Sequence, residues 1–472
     1  MSFTLVADTL PANPSILSFK VSVTSVVLTP TSGSAETLTL AAPVIDLMRL
    51  ESDTAFLGTL SGVPSGSYTV SVAFSNPEIV FLNDTTSKIT AGSASCSILS
   101  VCAFSLSASG TPSIGSFTVA ASSGGQLGVG LVFHLGNALT LSSGTLSVNF
   151  NPSSPGPAVL SAFTLPRSNA NLGASQLDLI EDFTGTVSVS GNNLTLASLT
   201  RGTITAVNGS TSFFDASPDG TICPMPATFS CVASGQVASV DAYLNSDGTL
   251  TVKEYEPLLS SPQDLVEGIV FSVNSTNQQF SMVVTDKTQA ATNSLLGGLE
   301  TGDLLTVSLA PTPPLQPFLV DSKGLPVANA FPSSYGLFHG QADTSAIHPG
   351  QAIAAHPTAF TAASGTSNAS ATTDAVTLRW SRLIANTTGA ASNTQFNVNS
   401  VPTYFALTSS SILATEVFTG TPGGSGVTTF DGIPAGGTVT LSPPPVALRV
   451  LYFQNSTNSA PLPFMAAKVR QH

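Results

Sequence analysis

The sequence predicts an all-β protein: an N-terminal β-sandwich followed by tandem small β-barrel-like modules. Three observations carry this. Apolar residues alternate with Ser, Thr, Gly and Asn, the period-2 pattern of strands with one buried face. Only 8% of the 472 residues are charged, so the Glu-, Lys- and Arg-rich runs of surface helices are missing. Gly or Pro breaks the chain at short intervals, and closely spaced strands with turns between them build sandwiches or barrels.

In chain order, Ser18–Pro30 (SFKVSVTSVVLTP) is β-branched and stopped by a proline. Val63–Phe74 (VPSGSYTVSVAF) is a turn running into a strand. It puts Tyr68, Val70, Val72 and Phe74 on one face, and Thr69, Ser71 and Ala73 on the other. Gly125–Gly136 (GQLGVGLVFHLG) is a further apolar strand. Asn171–Phe183 (NLGASQLDLIEDF) reads as a short helix.

Phe3–Leu5, Ser18–Pro30, Pro43–Leu50 (PVIDLMRL) and Phe56–Ile79 follow one another in a recurring order. That order resembles the N-terminal β-sandwich domain of bacterial surface proteins and lipoproteins, common in acidobacteria. The resemblance covers residues 1–190 and is strongest in the first part. It implies an exported protein and no particular biochemical activity. The opening MSFTLVADTL has neither the basic region nor the apolar core of a leader peptide.

The second part repeats itself. Arg201–Gly209 (RGTITAVNG) matches Glu267–Ser275 (EGIVFSVNS). Gly-led strands recur at Gly235–Asp241, Gly302–Leu309, Gly350–His356 and Gly436–Leu441. The hairpin Tyr243–Leu258 has an echo in Thr372–Leu383. These repeats resemble small barrel domains that accompany such sandwiches in bacterial surface proteins. The domain bounds that follow are 1–190 for the sandwich, 191–262 for a first barrel, 263–345 for a second and 346–472 for a degenerate third. Residues 1–10 are a candidate donor strand, with Phe3, Leu5 and Ala7 as its apolar face and Pro11 and Pro14 as a spacer.

The net charge of −13 is spread thinly, and no basic stripe of the kind nucleic acid requires is present. No apolar run approaches the roughly 18–20 residues of a transmembrane helix. A polar surface of hydroxyls and amides repels its neighbours weakly and favours association. It is covered by copies of the same chain, or it is a neutral surface suited to the outside of a cell.

The four cysteines fall as Cys96 and Cys102, then Cys223 and Cys231. Neither spacing is that of a zinc site or a redox pair. Closing a short loop with each pair satisfies both, so two local disulfides are expected, and with them an oxidising compartment. Seven Asn-x-Ser/Thr sites, Asn83 among them, are no more than this Ser/Thr-rich composition generates by chance.

Few residues suggest chemistry. His339, His348 and His356 lie close together with Asp343 between the first two, but at irregular spacing for a metal. Glu254 and Glu256 share a strand face at the separation of a glycosidase pair, yet Lys253 beside them suggests a solvated face. Asp178, Glu181 and Asp182 suggest an exposed charged turn. Asn245–Gly248 and Asp215–Gly220 hold oxygen ligands but no complete calcium loop. Trp380, flanked by Arg379 and Arg382, is alone of its kind, where sugar-binding faces show several aromatics.

The expectation is therefore no catalytic residue, no metal and no cofactor. The protein reads as a non-enzymatic extracellular structural protein, a self-assembling subunit of a cell-surface fibre or filament whose partner is itself. The alternative is a monomeric surface-anchored adhesion or carbohydrate-binding protein, with polysaccharide as its partner.

Overall fold

A computed structural model describes the whole chain except residues 9–13, 41–43, 52–54, 61, 120–125, 153–156, 167–175, 224–226, 246–248, 313, 322–332, 389–394, 400–401, 406–412, 418–428, 432–445, 454–463 and 472. The fold is all-β, as the patterning predicts. It comprises two compact units, Met1–Ser212 with Ala238–Tyr255, and Phe213–Val237 with Glu256–His472.

The sandwich uses β1 (Ser2–Ala7), β2 (Ser15–Pro30), β3 (Ala55–Thr59), β4 (Gly66–Leu82), β5 (Gln126–Phe133) and β6 (Leu160–Pro166). One sheet has the order β6-β5-β1-β3, and the other is built on the long β2–β4 pair with short strands along its edges. Inward residues of both sheets form one core. Tyr68, Val70, Val72 and Phe74 of β4 are buried, as their alternation predicts. Phe74 meets Phe133 edge-on at 5.1 Å and stacks on Phe150 at 5.5 Å. Such aromatic pairs add about 0.5–1.5 kcal/mol each beyond the area they bury.

Three barrel-like sheets follow, each of five principal strands and a short sixth. The first comprises β7 (Gln176–Ser190), β8 (Asn193–Ser198), β9 (Gly202–Val207), β10 (Val237–Asn245) and β11 (Leu250–Leu259). It closes by parallel pairing of β9 with β11, at Ala206 opposite Leu250. The second comprises β12 (Leu265–Asn274), β13 (Gln279–Thr288), β14 (Leu304–Leu309), β15 (Ala352–Thr361) and β16 (Ala369–Arg379), closed by β14 parallel to β16. The third repeats the plan with β17 (Ser381–Thr388), β18 (Gln395–Asn399), β19 (Leu413–Val417), β20 (Val446–Tyr452) and β21 (Phe464–Gln471), closed by β19 parallel to β21. In each, strands one, two, three, five and four run round the wall, with the third paired back to the fifth.

The structure corrects several sequence expectations. The part of Asn171–Phe183 that the structure describes is not a helix: from Gln176 it forms the start of β7. Its Leu-Asp-Leu-Ile spacing suits either state, but the alternation of Thr184–Ser190 continues it as a strand that pairs with β8. The sandwich therefore gives way to the first barrel before residue 191, inside the predicted sandwich domain. Residues 352–379 belong to the second barrel and not to the third, because β15 and β16 pair with β12 and β14. The repeat match was also out of phase. Arg201–Gly209 lies on the third strand of its barrel, whereas Glu267–Ser275 lies on the first strand of the next. Strands of one small barrel share the same alternation, so a strand matches any other nearly as well as its true counterpart.

Candidate functional site

The apolar face of the N-terminal strand is wholly internal. Phe3, Leu5 and Ala7 are fully buried. β1 lies between β5, to which it is parallel from Ser2 opposite Gly128 to Ala7 opposite Phe133, and β3, to which it is antiparallel. The candidate donor strand thus completes a sheet of its own chain.

Where β1 ends, three polar residues line up, two just past the ends of β1 and β5 and one near the start of β6. The imidazole Nδ1 of His134 lies 2.7 Å from Asp8 Oδ2, and its Nε2 lies 2.8 Å from Ser161 Oγ. The second carboxylate oxygen of Asp8 accepts from the Leu135 backbone N–H at 2.7 Å. A carboxylate only accepts, so Nδ1 carries the ring proton, and in the neutral ring Nε2 accepts from the Ser161 hydroxyl. Residues 7 and 133 point inward, so 8 and 134 point outward and meet. Carboxylate, imidazole and hydroxyl stand here in the order of a hydrolytic triad. The neighbouring backbone donors are already engaged, however: His134 N–H donates to Val159 O and Asp8 N–H to Phe133 O. The row binds the end of β1 to β5 and β6. Sequence reading missed it, because residues 8, 134 and 161 share no motif and meet only through sheet order.

A second cluster lies in the other unit. Arg379 Nη1 is 2.8 Å from Asp321 Oδ2 and 3.9 Å from Glu256 Oε2, and Nη2 is 3.7 Å from Glu267 Oε1. Glu256 and Asp321 are entirely buried. Asp321 is placed by the two-residue strand Leu319–Val320, which runs parallel to β16, and its backbone N–H donates to Leu378 O at 2.8 Å. Burial, reinforced by the negative charge of Asp321, pushes the Glu256 carboxyl well above its ordinary range, and Arg379 offsets this only in part. Burial also pushes the Tyr335 phenol up, in the same direction as the charges of Asp321, Glu256 and Asp215. With one guanidinium among four acidic groups, a protonated Glu256 relieves the excess of negative charge.

The expectation of a solvated face at Glu254 and Glu256 is therefore wrong. Both are buried, since strand β11 is covered on each side. Asp182 is likewise buried and not on an exposed turn. Its carbonyl accepts from Arg49 and Arg201, and its N–H donates to Asp241. The side chains of Asp178 and Glu181 lie outside the described residues, as do Ser246–Gly248 of the first calcium-like turn. In the second, Asp219 spends its carboxylate on Ser217 and Thr221, bonds that hold it below the ordinary range despite partial burial.

The histidine group is dispersed. His356 pairs with Asp374 at 2.6 Å, and Asp343 caps a short turn through the Ser345 N–H. No cluster of three metal-ligating side chains occurs among the described residues. Trp380 is buried under the Arg449 guanidinium and presents no face to a sugar. Both expected disulfides are formed, Cys96 with Cys102 and Cys223 with Cys231. Asn83 is fully buried, and its amide nitrogen donates to Ser87 O and Cys96 O, which closes this site to glycan attachment.

No protein-family model, no curated protein and no solved structure matches the chain. Among the described residues no helix is long and apolar enough to cross a membrane. The two disulfides are compatible with a secreted protein.

Proposed function

We propose that this is an extracellular structural protein that assembles with copies of itself into a cell-surface fibre. The observation that supports it best is the joint between the second and third barrels. A single residue, Trp380, separates β16 from β17. The joint is filled with side chains. Gln351 is fully buried, accepts from the His348 N–H at 2.8 Å and donates to Tyr452 O at 3.0 Å. The Phe453 ring lies 5.6 Å from Tyr335, and Phe405 lies 5.4 Å from Tyr452. Phe405 also covers Gly350, where any side chain would collide with the ring. A joint this short and this packed holds neighbouring modules in one arrangement, which suits transmission of force more than catalysis by moving parts.

The charge-poor surface and the resemblance of residues 1–190 to exported surface proteins support the same reading. Negative-stain electron microscopy of protein purified without reductant tests it. Filaments of regular repeat are expected. Monodisperse single particles at high concentration would sink it and favour a monomeric adhesion protein.

A further inference from the structure

We infer that the Asp8–His134–Ser161 row is a latch that keeps β1 in its own sheet, and that a released β1 fills the same groove in a second copy of this chain. The inference rests on the self-assembly reading and adds to it the strand exchanged and the bonds that govern exchange.

The groove is defined by what β1 covers. Without β1, Leu57 of β3 and Val129, Leu131 and Phe133 of β5 would lose the strand that lies between them, and all four are buried. Two ladders of backbone groups would also lose their partners. An open site of this kind costs too much to stay empty. The segment that fits it best is β1 itself, and every copy carries one. The link from β1 to β2 is Asp8–Pro14. Fully extended, seven residues span about 23–25 Å, enough to carry a strand to an adjoining molecule.

The latch sits where release must begin. The bonds of Asp8 to His134 and Leu135 and of His134 to Ser161 join the end of β1 to the two strands beside it. All three residues are partly exposed, so water can replace these bonds without loss of the apolar core.

Val6 of β1 stands opposite Val132 of β5, and both are partly exposed. Two populations, one carrying Val6→Cys and the other Val132→Cys, are mixed under mild oxidation. A disulfide between them forms only when β1 of one copy lies in the sheet of the other. With Asp8→Asn in both populations, cross-linked dimer is expected to form at least fivefold faster than with Asp8 intact. Ser161→Ala, which removes one bond and no charge, should give a smaller increase, and it decides the matter if Asp8→Asn does not fold. Equal rates with and without these substitutions would overturn the latch. The absence of cross-linked dimer in every pairing would overturn exchange. Cross-linked dimers without filaments would leave the latch standing and count against the fibre.

Discussion

Glu256 and Asp321 flank one nitrogen of Arg379, with Asp321 at 2.8 Å and Glu256 at 3.9 Å. The nearer carboxylate takes the ion pair, and the farther one takes a proton. This asymmetry sets how stability depends on pH. The folded-state pKa of Glu256 lies above its ordinary 4.5, so the folded chain keeps a proton that the unfolded chain releases. The stabilisation is complete below pH 4.5 and is lost as the pH rises through the folded value. The slope in that window is about 1.4 kcal/mol per pH unit for one proton. Asp219 and Asp343, held below 3.8, act oppositely and only in stronger acid.

Thermal unfolding should therefore show a higher midpoint at pH 5 than at pH 7.5. Glu256→Gln, a neutral isostere, should flatten that dependence while keeping most of the stability at pH 5. An unchanged slope in the variant would show that the proton sits elsewhere.

Arg379→Met removes the cation from a site that keeps its acids. Breaking a buried ion pair from one side costs about 3–5 kcal/mol. Urea denaturation should show a loss of this size at pH 7.5 and a smaller one at pH 5, where Glu256 keeps its proton. Equal losses at both pH values would count against a charge effect.

Gly185 lets β7 lie against β8 in the first barrel: a Cβ there would come within 2.8 Å of Ala197 O. Gly185→Ala should cost about 1–3 kcal/mol by forcing the strands apart. Gly297 has open space around it, so Gly297→Ala should stay within about 0.5 kcal/mol of the parent. Chemical denaturation of the two variants side by side makes the comparison.

The Cys96–Cys102 bridge closes a loop of six-residue separation. The chain-entropy argument gives about 2 kcal/mol for a loop of that length. The double substitution Cys96→Ser, Cys102→Ser should lower the urea midpoint accordingly, and a reductant, which also opens Cys223–Cys231, should shift the parent protein at least as far.

The strands of the sandwich were legible because their two faces differ. In β4 the alternation of Tyr68, Val70, Val72 and Phe74 with Thr69, Ser71 and Ala73 reads directly as inside and outside. Both disulfides were legible from spacing, because each closes locally. Strand β11 was not legible in the same way. Both of its faces are covered, so Glu254 and Glu256 look like solvent-facing residues in a pattern that has no solvent face. The barrel bounds failed for a related reason: β15 and β16 return to the second barrel after a long excursion from β14, and nothing local in the sequence says which sheet a returning strand rejoins. The row at His134 and the pair at Arg379 join residues far apart in sequence, and such pairings follow from topology alone.

The parallel seat of β1 beside β5 also fixes an order of events during synthesis. Ser2 pairs with Thr59 on one side and with Gly128 on the other, so β1 can join β3 early but must wait for β5 to complete its second ladder. Closing a loop of that length is slow compared with the shorter-range antiparallel pairing of β2 with β4. While it remains open, every nascent chain displays an apolar strand and, soon after, the empty slot that matches it. Chains made side by side on one message would carry both at high local concentration. On the exchange reading above, a copy closes on itself or joins its neighbour according to how soon β5, once made, is met by its own β1.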